Sequence, residues 1–113
     1  MDYLNKVRLP AGFTFTEFSS GHYDKVEDFW NRNGLGGKHR GDNLGIIEDT
    51  ISGGGHLILL WSPEGELAGT SWLTNDRGRT YLHHFGIDKP FRGLGLSKVL
   101  LAESLKLAAA DGY

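Results

Sequence analysis

Apolar positions along the chain change period several times, and the changes divide it into short elements. Phe13 and Phe15 alternate with Thr14 and Thr16, with Phe18 close behind, a period-two pattern rich in aromatic and β-branched residues that predicts a first strand. Asp24 with Glu27 three residues on reads as a helix start. Val26, Phe29 and Trp30 then share one helical face until Gly34 stops it. Leu44, Ile47 and Ile51 repeat at helical spacing ahead of Gly53, Gly54 and Gly55, which predicts a second helix between roughly Asp42 and Ser52.

The middle of the chain reads as a meander. His56 to Ser62 and Leu67 to Asn75 are strand-like runs joined by the turn Pro63-Glu64-Gly65-Glu66, and a second turn, Asp76-Arg77-Gly78-Arg79, leads into a third strand from Thr80 to Ile87. From Leu96 to Asp111 nothing interrupts a helix. Leu96, Val99, Leu100 and Leu107 form one apolar side of it, and Leu101, Leu105 and Ala108 form another, so this helix is expected to pack on the sheet and be covered by something else as well. The order is β-α-α-β-β-β-α, which places the chain in the α+β or α/β class, with no internal repeat or linker.

Composition narrows the function classes. At 113 residues the chain is one domain at most, and its charged fraction of 23% and hydrophobic fraction of 39% suggest neither disorder nor a membrane span. A net charge of -2 lacks the basic footprint that binding a phosphate backbone leaves, so nucleic acid is not an expected partner. With no cysteine, a thiolate metal site and a cysteine nucleophile are excluded. His22, His39, His56, His83 and His84 show no metal-ligand spacing, and no metal is expected. Met1 to Pro10 carries Asp2, Asn5, Lys6 and Arg8 rather than an apolar run, and a cytoplasmic location is the default expectation.

Candidate chemistry concentrates between the third strand and the last helix, in Ile87-Asp88-Lys89-Pro90-Phe91-Arg92-Gly93-Leu94-Gly95-Leu96-Ser97-Lys98. A strand that runs through a glycine turn into a helix presents unpaired backbone N–H groups and the positive end of the helix dipole, which suits a phosphate or pyrophosphate. Gly93 and Gly95 allow close approach to the main chain, and Arg92 can add a charge-assisted contact. A Walker loop needs Gly-Lys-Ser/Thr after four intervening residues, and a dinucleotide fingerprint needs a third glycine where Lys98 stands; neither is present. What remains is Arg-x-x-Gly-x-Gly/Ala, seen as Arg92, Gly95 and Ser97.

That arrangement, within HHFGIDKPFRGLGLSKVLLAESLKLAAADGY, resembles the GNAT superfamily of acyl-CoA-dependent N-acyltransferases. The resemblance is specific from about Leu82 onward and extends over the whole chain as element order, which matches the first half of that α+β fold. Ser97 departs from the usual Gly or Ala; it is small, and its hydroxyl can bind phosphate or cap the helix. The resemblance implies acetyl-CoA as acyl donor, direct transfer to a small-molecule or peptide amine, and a single domain, residues 1–113, that lacks its C-terminal part. The family continues with a diverging strand that would begin near Asp111-Gly112-Tyr113, and a tyrosine that protonates the leaving thiolate usually lies in that later half. The alternative reading is a GNAT-derived domain that binds acyl-CoA or a protein without catalysis; a nucleotide-binding module would rest on the glycine loop alone.

By the same resemblance, the backbone at Phe85 and Ile87 would pair with pantetheine, with a β-bulge at Gly86 aiming an amide at the thioester carbonyl. Arg92, Gly93, Leu94, Gly95, Leu96 and Ser97 would hold the pyrophosphate. The plainer reading of Gly86 is relief of crowding in a strand. An alkyl ammonium with a pKa near ~10.4 must lose its proton before it attacks, and a histidine, with an unperturbed pKa of about 6.5, suits a base. Neighbouring strand residues face opposite ways, so only one of His83 and His84 is expected to face the cleft; His83, with the parity of Phe85 and Ile87, is the candidate, against a packing role for both. Glu48 and Asp49 could attract a cationic acceptor, His39 and Arg40 could touch substrate, and Trp30, Trp61 and Trp72 read as core aromatics. An unpaired edge at Thr80 to Ile87 and an uncovered helix side would invite a homodimer, a swapped assembly or a companion segment.

Overall fold

The computed structural model describes residues 9–35, 44–76 and 79–110. Strand β1 is Thr14–Glu17, helix α1 is Tyr23–Arg32, α2 is Leu44–Ser52, β2 is His56–Trp61, β3 is Leu67–Asp76, β4 is Arg79–Ile87 and α3 is Leu96–Ala110. Short 3-10 turns, Ser20–His22 and Lys89–Phe91, precede α1 and follow β4. The predicted order β-α-α-β-β-β-α is the observed one. The start of α2 expected near Asp42 and the end of α3 at Asp111 lie outside the described residues.

The four strands form one antiparallel sheet in the order β1-β2-β3-β4. Strand β2 explains how both faces are used. Its run HLILLW is apolar without a break because Leu57 and Leu59 point into one cluster, with Val26, Phe29, Trp30 and Ile47 of α1 and α2, while Ile58 and Leu60 point into the other, with Leu96 and Leu100 of α3. A strand covered on both sides loses the polar half of its alternation. Helices α1 and α2 thus lie on one face of the sheet and α3 on the other.

Helix α3 is seated on that second face by Leu96, Val99 and Leu100, all buried, and by a polar pair. Ser71 and Ser104 place their hydroxyl oxygens 2.7 Å apart, and Ser104 donates to the carbonyl of Leu100 at 2.8 Å, so both hydroxyls are satisfied within a buried interface. The other apolar side of α3 is not covered among the described residues. Leu101, Leu105 and Ala108 line a groove of about 560 Å³ with Leu73, Tyr81 and Leu82. Tyr81, Leu82 and Leu105 are each more than two-fifths exposed. Strand β4 forms the edge of the sheet beside this groove.

One irregularity changes the phase of β4. Thr70 pairs with Gly86 and Trp72 with His83, so the single residue Ser71 opposes two, His84 and Phe85. This is a β-bulge, and His84 within it has φ of 47°, a left-handed conformation rarely adopted by a residue with a side chain. A buried chain of hydrogen bonds holds it. The indole N–H of Trp30 donates to Thr70 Oγ1 at 3.0 Å, and the Thr70 hydroxyl donates to the carbonyl oxygen of His84 at 2.7 Å. The imidazole of His84 packs between two indoles, 4.5 Å from the ring centre of Trp30 and 5.0 Å from that of Trp72.

The bulge overturns the parity argument made for the histidines. Cross-strand partners share a face, so His83, opposite Trp72, lies on the α1–α2 side, while Phe85 and Ile87 pack toward α3. His84 also turns to the α1–α2 side, because the extra residue cancels the alternation that would have sent the pair to opposite faces. Replacing Thr70 by Val should leave the Trp30 N–H and the His84 carbonyl without their partner and lower unfolding free energy in urea by about 1–3 kcal/mol, whereas Thr70→Ser should keep most of it.

Candidate functional site

The segment after β4 is built by local rules. Asp88 caps the 3-10 turn, its Oδ1 accepting the Lys89 backbone N–H at 3.1 Å, and Pro90 sits within the turn, where its missing N–H is no loss. The turn closes through Phe91 N–H to Asp88 O at 2.9 Å and Arg92 N–H to Lys89 O at 3.2 Å. The chain then passes through Gly93 (φ of +86°) and Gly95 (φ of +76°) before α3 begins at Leu96. Both glycines occupy the left-handed region that a side chain would strain, and a Cβ at either would point into open space, so the main chain there is accessible to a ligand. The first turn of α3 leaves its N–H groups without helical partners on the same side.

These elements enclose a cavity of about 380 Å³. Phe85, Gly86, Ile87, Arg92, Gly93, Gly95, Leu96 and Ser97 all line it, which brings together every residue that the sequence suggested for the donor except Leu94. Leu94 is 55% exposed and is not part of the lining. Asn33, Leu35 and Phe91 complete the lining. Its lining combines glycine backbone and a helix start, which suit an anion, with the aromatic and aliphatic side chains of Phe85, Ile87 and Leu35.

Gly86 has another role than the one expected of it. The bulge lies at His84 and Phe85, and Gly86 is regularly paired with Thr70. A Cβ on Gly86 would stand 2.9 Å from Leu35 Cδ1, so the glycine makes room for the segment after α1 to close over the strand. His83 is not among the cavity-lining residues; it is exposed, and its Nε2 lies 3.0 Å from Thr74 Oγ1. Glu48 and Asp49 occupy the exposed side of α2. His39 and Arg40 lie outside the described residues. No group of three potential ligands is near enough to hold a metal, and no helix is long and apolar enough to cross a membrane, among the described residues.

Behind the loop stands a network that the sequence did not announce. Buried Asp88 accepts from Arg32 Nη1 through Oδ2 and from Asn33 Nδ2 through Oδ1 at 3.2 Å. Asn33 Oδ1 in turn accepts from Arg92 Nη2 at 3.2 Å, and Arg92 Nε donates to the carbonyl of Ile87 at 2.9 Å. Residues 32, 33, 88 and 92 meet only because α1 ends against the end of β4; the single local hint was Asn33-Gly34, which reads as a helix stop. Burial pushes the Asp88 pKa upward, but the hydrogen bonds from Arg32 and Asn33, the Arg32 charge and the Lys89 N–H outweigh it and hold the carboxyl below its ordinary value. The Arg32 guanidinium is correspondingly raised, foremost by its hydrogen bond to Asp88.

A depressed carboxyl pKa stabilises the fold above its unfolded value and loses that contribution as pH falls through the folded one. Asp88→Ala should therefore cost about 1.5–3 kcal/mol at neutral pH. In urea titrations at a series of pH values, the difference from the unaltered chain should shrink below about pH 4, the ordinary carboxyl range; a difference independent of pH would exclude the ionised carboxylate as its source.

Comparison with known proteins agrees with this geometry. The fold superposes on an acetyltransferase of the GNAT family from Staphylococcus aureus Mu50 with a TM-score of 0.76 at 19% identity, covering 88% of this chain and 68% of that one. For a GCN5-related N-acetyltransferase from Sphaerobacter thermophilus the TM-score is 0.71 at 21% identity, over 93% of this chain and 34% of that one. For the GNAT family N-acetyltransferase YhbS of Escherichia coli, solved in complex with CoA, it is 0.69 at 15% identity, over 95% and 62%. The chain thus spans between about a third and two thirds of the length of these proteins. No curated protein matches the sequence. The family model for the Acetyltransferase (GNAT) family matches residues 16–113, and the chain belongs to that family.

Proposed function

We propose that this chain is the donor-binding part of an acetyl-CoA-dependent N-acetyltransferase that passes the acetyl group directly to an amine. The observation that carries the reading is the cavity in which the β4 end, the Gly93–Gly95 loop and the start of α3 converge. In this reading the loop amides and Arg92 hold the diphosphate and Phe85 and Ile87 flank the pantetheine arm. The bulge in β4 would aim one backbone N–H at the thioester oxygen, where negative charge develops.

The chemistry asks little more of the protein than placement. A neutral amine attacks the thioester carbon, the C–S bond breaks, and the thiolate leaves while the new amide nitrogen loses a proton. His83, on the α1–α2 side of the sheet, is the proposed base that takes the ammonium proton before attack, the amide proton passing to the departing thiolate, and Glu48 and Asp49 on the same side would draw a cationic acceptor toward it. His84, wedged between Trp30 and Trp72, serves the bulge instead. The exposed β4 edge and its apolar groove support association through this side, as a dimer or with a companion segment; a stable monomer in sedimentation equilibrium would remove that part of the reading. Cytoplasmic residence accords with the use of acetyl-CoA.

Isothermal titration with acetyl-CoA tests the core of the proposal. Arg92→Ala should weaken binding by roughly tenfold or more, the magnitude of one charge-assisted hydrogen bond. Gly95→Val should weaken it at least as much, because a β-branched residue is strained at positive φ. Binding that ignores both substitutions would place the donor elsewhere, and binding without turnover on any amine would favour the non-catalytic alternative.

A further inference from the structure

Among the polar side chains that line the cavity, one has no hydrogen left to offer a ligand. Asn33 spends both amide hydrogens inside the protein, on the carbonyl of Phe29 at 2.9 Å and on Asp88 Oδ1 at 3.2 Å. Its remaining polar atom, Oδ1, faces Arg92 Nη2 at 3.2 Å. The orientation of the amide is not arbitrary: a carboxylate can only accept and a guanidinium can only donate, so a reversed amide would fail on both sides. Arg92, for its part, commits Nε to Ile87 O and one Nη2 hydrogen to Asn33, which leaves three of its five N–H groups for an anion at the mouth of the glycine loop.

The charges explain why a neutral amide stands there. Asp88 already neutralises Arg32, which also pairs with Asp28 at 2.8 Å. Were Arg92 to contact Asp88 directly, its positive charge would be shared with a buried carboxylate and its fork turned away from the cavity. Asn33 lies between the two, bound to each. It lets the carboxylate fix the guanidinium at one remove while the charge stays directed outward, and a long side chain that would otherwise sample many rotamers is held before any ligand arrives.

We propose that Asn33 is a positioning residue for the donor diphosphate, acting through Arg92 by holding its guanidinium at the glycine loop and apart from Asp88. The inference rests on the donor-binding reading above. Its signature is selectivity. Loss of Asn33 should weaken ligands that carry the diphosphate and leave unaffected a ligand that has only the pantetheine arm.

The experiment titrates the full chain with coenzyme A and dephospho-coenzyme A by calorimetry and with pantetheine by NMR, for the unaltered protein, Asn33→Ala, Arg92→Ala, the double variant and Arg92→Lys. Asn33→Ala should weaken coenzyme A and dephospho-coenzyme A alike, by about three- to tenfold, one neutral hydrogen bond's worth, with pantetheine affinity unchanged. The double variant should bind no more weakly than Arg92→Ala. Arg92→Lys, which keeps the charge but cannot span Ile87 O and Asn33 Oδ1 together, should resemble Arg92→Ala. Equal losses for pantetheine and coenzyme A, additive losses in the double variant, or full affinity in Arg92→Lys would each overturn the role assigned to Asn33 while leaving the donor site standing. No binding of coenzyme A by the unaltered, folded chain would overturn the donor site itself and this inference with it.

Discussion

A single buried hydroxyl sets the phase of the strand on which the site is built. Thr70, fully buried, accepts the indole N–H of Trp30 on one side and donates to the carbonyl of His84 on the other, tying α1 through β3 to the bulge of β4. The left-handed conformation at His84 persists because this bond and the two flanking indoles fix it from three directions. Without the extra residue, His83 would share a face with Phe85 and Ile87. With it, His83 faces the α1–α2 side opposite Trp72, while Phe85 and Ile87 beyond the bulge face α3. One inserted residue thus reverses the face taken by the odd-numbered positions of the strand.

What the sequence made legible was what is local. The continuous apolar run of β2, the turn around Gly65 and the unbroken helix of α3 are all stated by residues near one another, and they stand where expected to within a residue or two. The glycine loop was legible for the same reason, since its glycines and the helix start after them are neighbours in the chain. The bulge was not. Its cause is a contact between residues 30, 70 and 84, and its natural sequence marker, a glycine, stands at position 86 for a different purpose, to admit Leu35. Alternation therefore misassigned His83, and no count of apolar positions could have corrected it. Asn33 was invisible for the same physical reason: its partners are 55 and 59 residues away.

The sheet also shows why a helix with two apolar sides need not be buried on both. One side of α3 is seated by Leu96, Val99 and Leu100, with the Ser71–Ser104 pair fixing its register against β3. The other side, with Leu101, Leu105 and Ala108, lines the groove beside β4 among the described residues. Burial of the first side positions the helix and, with it, the N-terminal turn that follows the glycine loop.

Two independent attachments converge on that loop, and their division of labour follows from charge. Packing places α3, and hence its dipole, through apolar contacts that are indifferent to salt and pH. The Arg32, Asp88, Asn33 and Arg92 network places the guanidinium, and does so through groups that are mutually compensated except at the cavity. Asp88 answers Arg32, Asn33 separates Asp88 from Arg92, and Arg92 alone presents uncompensated charge inward. An anion arriving there meets a positive dipole and a positive side chain already oriented, with the carboxylate of Asp88 buried and paired. The proposed recognition of a diphosphate by a chain of net charge -2 would then need no basic surface: the charge it uses is not spread over the molecule but concentrated at one loop.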